Sequence, residues 1–72
     1  MQVYLMIDAL NDEIKKVKDD GRNKLFMMNL NIEDASGGNI PEILTRYYHN
    51  KLISIDVHKC NIRNQYDLMF WW

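Results

Sequence analysis

The segment Tyr66-Asp67-Leu68-Met69-Phe70-Trp71-Trp72 constrains the fold more than any other stretch of the chain. Along an extended strand, neighbouring side chains point to opposite faces. Phe70, Trp71 and Trp72 therefore cannot all enter one core, and 72 residues leave room for only one. Tyr66, Leu68, Phe70 and Trp72 make one alternate set, apolar throughout, and Asp67, Met69 and Trp71 make the other. The first set is expected inside. The second then leaves at least one bulky aromatic near solvent or another chain.

Size sharpens the problem. A chain this short buries only about 60% of its unfolded surface, so its stability margin is thin without a dense core or a second chain. Apolar residues are 47% and charged residues 26%, ordinary for a globular domain and unlike a disordered or fibrous chain. One domain spanning residues 1–72 is expected. The single cysteine excludes an intrachain disulfide and a thiolate metal site. A net charge of −1 lacks the footprint of a dedicated nucleic-acid binder. No apolar run approaches the roughly 18 residues of a membrane span, and the first residues lack a signal-peptide layout, so a cytoplasmic protein away from membranes is expected.

Two periodicities divide the rest. Val3, Ile7, Leu10, Ile14 and Val17 recur at alternating spacings of four and three, one stripe of a helix over Gln2 to about Asp19, with Gly21 placed for a left-handed cap. Phe26, Met28, Leu30 and Ile32 alternate with Met27, Asn29 and Asn31, the period of a half-buried strand. A polar loop with Glu33, Asp34, Ser36, Gly37 and Gly38 follows. Asn39, Pro41 and Glu42 then mark the start of a short helix carrying Ile40, Ile43, Leu44 and Tyr47 on its apolar face. Ile53, Ile55 and Val57 oppose Ser54, Asp56 and His58 on a second strand, and the aromatic segment is the third.

The order α-β-α-β-β predicts a small α+β domain with two helices on one face of a three-stranded mixed sheet. In it, the first two strands are joined by a parallel crossover and the last two form a hairpin. The covered face is expected to hold Phe26, Met28, Leu30 and Ile32, leaving Leu25, Met27, Asn29, Asn31, Ser54, Asp56, His58, Asp67, Met69 and Trp71 on the open one. The expected use of that arrangement is protein–protein contact. Met27, Met69 and Trp71 would be the anchors, with Tyr66, Asp56 and His58 at the rim and Phe70 and Trp72 in the same strand, since Trp, Tyr and Met are enriched at interface cores. The partner would be another protein, or a second copy joined by edge pairing of the last strand or by face-to-face packing. Eight asparagines and five methionines resemble the composition of small proteins from AT-rich phage, plasmid or low-GC bacterial genomes, which often bind and modulate a larger protein.

Competing chemistries carry less. Asp56, His58 and Cys60 alternate on one strand, but residues two apart lie about 6.5 Å apart at Cα, too far for a triad's contacts. His49, His58, Asp56 and Asp67 lack the paired spacing of a zinc site. No enzyme activity, metal or cofactor is expected. The alternative reading is a nucleic-acid binder using Arg46, Tyr47, Tyr48, Lys51 and Arg63, where bases stack on tyrosine and cations meet phosphates. Residues 36–72 carry little excess positive charge, which disfavours nucleic acid as a partner.

Overall fold

The computed structural model describes residues 3–32 and 39–72, with side chains from Tyr4 onward. The expectations placed on Val3's side chain and on the loop Glu33, Asp34, Ser36, Gly37 and Gly38 lie outside the described residues. Five elements follow one another: α1 (Val3–Asp19), β1 (Lys24–Asn31), α2 (Ile40–His49), β2 (Ser54–Lys59) and β3 (Gln65–Trp71).

Helix α1 buries Met6, Ile7, Leu10 and Ile14 on one stripe. Its end is closed by a paired cap: Gly21 N–H donates to the Lys18 carbonyl (2.9 Å) and Arg22 N–H to that of Val17 (3.1 Å). That geometry needs a left-handed residue at the first of the two donors, and Gly21 supplies it at φ +78° without steric cost. Helix α2 starts with Pro41 in its first turn, and Asn39 contributes its backbone carbonyl to Ile43 N–H (2.9 Å) rather than a side-chain cap. Its buried stripe is Ile40, Leu44 and Tyr48, spaced four apart. Tyr47, expected on that stripe, is half-buried, and Tyr48 takes the central place.

The sheet corrects the mixed arrangement expected from the sequence: it is antiparallel throughout, in the order β1-β3-β2. Strands β1 and β2 run in the same direction, yet they are not paired with each other, because β3 is inserted between them. The burial of β3 gives the physical reason. Tyr66, Leu68 and Phe70 are the bulkiest alternating set, and Leu68 and Phe70 are 0% exposed. At the centre, β3 uses both hydrogen-bonding edges and sets these side chains beneath both helices. A homodimer formed through the edge of the last strand is thereby removed, since that strand has no free edge.

A second correction concerns β1. Lys24, Leu25, Phe26 and Met27 pair with Trp71, Phe70, Met69 and Leu68, but Leu30 and Asn31 pair with Tyr66 and Gln65. One extra residue is therefore accommodated at Met28 and Asn29, opposite Asp67, with Asn29 at φ +56°. Such a bulge shifts facing by one residue. Leu30 and Ile32 face the helices as expected, whereas before the bulge Leu25 and Met27 face inward and Phe26 and Met28 lie exposed.

One core results, from α1, α2, Ile32, Ile53 and the inward set of β3. A polar clamp spans the two helices: Tyr48 Oη donates to Asn11 Oδ1 (2.9 Å) and Asn11 Nδ2 donates to Tyr47 Oη (3.0 Å). Tyr48 also packs edge-on against Phe70, with ring centroids 5.0 Å apart.

A candidate protein interface on the open sheet face

The three strands bring their outward residues into rows across the open face. Lys24, Trp71 and Ser54 form the first row and Phe26, Met69 and Asp56 the second. Asp67 and His58 make the third, with the bulge of β1 beside them. Phe26 is 58% exposed and Trp71 41%, and half-buried Met69 lies between them on the central strand. A sheet alternating polar-out would place polar residues at all three positions.

The apolar strip has a charged border. A groove of about 300 Å³ runs beside Phe26 and Met69, with Asp56, His58 and Asp67 along its walls. Lys24 stands at the opposite end. Asp67 is fixed in place: its Oδ1 accepts from Asn29 N–H at 2.9 Å, so the carboxylate satisfies the backbone donor that the bulge turns out of the ladder.

The structure separates the residues expected at the interface. Met69, Trp71, Asp56 and His58 share the open face. Met27 lies on the covered face, moved there by the bulge, and Tyr66 and Phe70 are core residues. Trp72 is pinned elsewhere. Its indole N–H donates to the Arg22 carbonyl (3.1 Å), its backbone N–H to that of Asn23 (3.0 Å), and Lys18 Nζ lies 5.4 Å from its ring centre. Phe26 is the residue that sequence reasoning missed. Its signal was Asn29 in mid-strand, a residue type that tolerates positive φ and so marks where a strand's alternation can break.

Other candidate groups do not converge. Among the described residues no hydrogen bond joins Asp56, His58 and Cys60, and no three of His, Cys, Asp and Glu are grouped to hold a metal ion. The Cys60 thiol is pushed up from its ordinary value, first by desolvation and then by the charge and hydrogen bond of Asp67. That disfavours the thiolate a nucleophile needs. In the basic–aromatic group, Tyr48 is buried, and its hydroxyl is pushed well above the tyrosine range by burial and by Tyr47. Arg46 is paired with Glu42 (2.6 Å), Lys51 lies 5.5 Å from the Tyr47 ring, and Arg63 sits in the β2–β3 turn. Tyr48 therefore offers no face on which a base can stack.

No protein-family model, curated protein or solved structure matches the chain. No helix among the described residues is long and apolar enough to cross a membrane.

Proposed function

We propose that the chain is a protein-interaction module that binds its partner through the open face, with Phe26, Met69 and Trp71 as the contact. The observation that carries this reading is the contiguity of these residues across β1 and β3 on the face that neither α1 nor α2 covers. Large apolar side chains at the centre of a polar-rimmed patch are the usual anchors of protein recognition. Asp56 and Asp67 outweigh Lys24 at the rim, so the complementary partner is a protein surface with an apolar centre and basic side chains at its edge.

The test is capture from the source cell with wild-type protein, followed by titration of the captured protein. Trp71→Ala and Phe26→Ala are each expected to weaken binding by about 1–2 kcal/mol, as truncations of interface anchors do, while circular dichroism stays unchanged. Leu5→Ala, an exposed apolar position on α1, serves as the control and is expected to bind normally. Folded Trp71 and Phe26 variants that bind like wild type would remove the assignment.

A further inference from the structure

We propose that β2 is a dimerisation edge. Two copies of the chain pair β2 with β2 antiparallel, about a two-fold axis through Val57, joining two three-stranded sheets into one of six strands. Strand β2 is bonded to β3 along one side, and among the described residues nothing pairs with its other side. Strand β1 is the opposite edge, but its bulge breaks the regular spacing of backbone groups, which spoils it as a template. The register of β2 is unbroken from Ser54 to Lys59.

One hydrogen bond fixes which backbone groups are free. Cys60 donates its N–H to the Gln65 carbonyl at 2.9 Å, continuing the β2–β3 register by one pair. Backbone groups alternate sides along a strand, so Ser54, Asp56 and His58 aim theirs at β3. Ile55, Val57 and Lys59 aim theirs outward. A second β2 must then meet these three residues with its own three.

Charge selects among the registers that do so. With the axis at Asp56, the two Asp56 carboxylates face each other. With the axis at His58, the two imidazoles do. Only the axis at Val57 sets each Asp56 opposite His58 of the other copy, twice, and it also brings all three outward residues of each strand into pairs. These Asp56–His58 contacts fall at the non-hydrogen-bonded positions, where Cα atoms approach to about 4.5 Å and side chains meet most closely. Carboxylate and imidazole are complementary there in either protonation state of the histidine. On the helix side Val57 meets Val57, and Ile55 lies against the aliphatic stem of Lys59. Ile55 and Val57 are half-buried in the single chain, although their β3 partners Phe70 and Leu68 are fully buried. The edge thus retains apolar surface for a second copy to cover. The contact uses the edge of the sheet and leaves Phe26, Met69 and Trp71 free; it shares with the open face only the border residues Asp56 and His58.

Light scattering after size exclusion, from micromolar to near-millimolar protein, reads the association directly. The mass is expected to rise from 8.7 kDa toward twice that value. Asp56→Lys and His58→Asp are each expected to raise the dimer Kd by about tenfold or more, and the combined Asp56→Lys/His58→Asp variant to restore it to within about threefold. Amide hydrogen exchange gives a second reading that does not rely on variants. Ser54, Asp56 and His58 are protected at all concentrations, and Ile55, Val57 and Lys59 gain protection as the dimer forms. A chain that stays at 8.7 kDa across the range overturns the proposal. So does a dimer that ignores both single substitutions, one whose outward amides gain no protection, or one dispersed by Trp71→Ala, which would place the contact on the open face.

Discussion

Asn11 and Tyr48 show how a few polar atoms orient an apolar core. The Tyr48 ring is buried against Phe70, and its hydroxyl reaches the interior side of α1, where Asn11 accepts its proton and donates in turn to Tyr47. Tyr48→Phe is expected to cost about 1–2 kcal/mol, because Asn11 Oδ1 is left without its donor. The same contact gives stability a pH dependence. In the unfolded chain Tyr48 ionises near the ordinary tyrosine value of about 10. Burial and Tyr47 raise it in the folded chain, so the folded state holds the proton more tightly. The contribution is complete below pH of about 10 and is lost as pH climbs toward the raised folded value. Urea midpoints at pH 8 and pH 10.5 are expected to fall more steeply for wild type than for Tyr48→Phe. Equal slopes would place the tyrosine outside the core.

At the scale of elements, the bulge in β1 decides what the open face displays. Asn29 at φ +56° is the residue that permits it, with Asp67 accepting its N–H. Asn29→Val forces a β-branched side chain into the left-handed region and is expected to destabilise by about 1–2 kcal/mol, whereas Asn29→Gly is near neutral. Thermal unfolding of both variants checks the difference, and equal losses would argue against a left-handed residue there. Both helices and the alternation within β2 and β3 were legible in the sequence, because these patterns are local: Leu10 and Ile14 on one stripe, Leu68 and Phe70 on one face. The facing of Phe26 was not legible, because an insertion of one residue in β1 leaves the residue types on either side unchanged. Strand order was not legible either. A crossover helix and a tight turn are equally compatible with β1 beside β2 or beside β3, and only the total burial of Tyr66, Leu68 and Phe70 selects the centre for β3. Tyr48 was misread for a related reason. Adjacent tyrosines fit either a helix face or a solvent cluster, and the spacing of four from Ile40 and Leu44 decides between them.

For the whole molecule, the position of β3 governs the order of events as the chain folds. β2 and β3 are joined by a short turn through Asn61–Asn64, whereas Lys24 meets Trp71 only after α2, β2 and that turn have been gathered in. Local pairings form before distant ones, because closing a long loop costs entropy before its contacts are made. The hairpin is thus expected in the folding transition state and β1 outside it. At high dilution, Ile55→Ala should slow refolding, while Leu25→Ala should leave refolding near wild type and accelerate unfolding, as measured by stopped-flow fluorescence of the two tryptophans. A Leu25→Ala chain that refolds as slowly as Ile55→Ala would reverse that order. Until β1 arrives, the most apolar strand in the molecule has a bare edge. Losses during refolding should therefore grow with chain concentration, as neighbouring molecules compete with β1 for the same vacant side of β3.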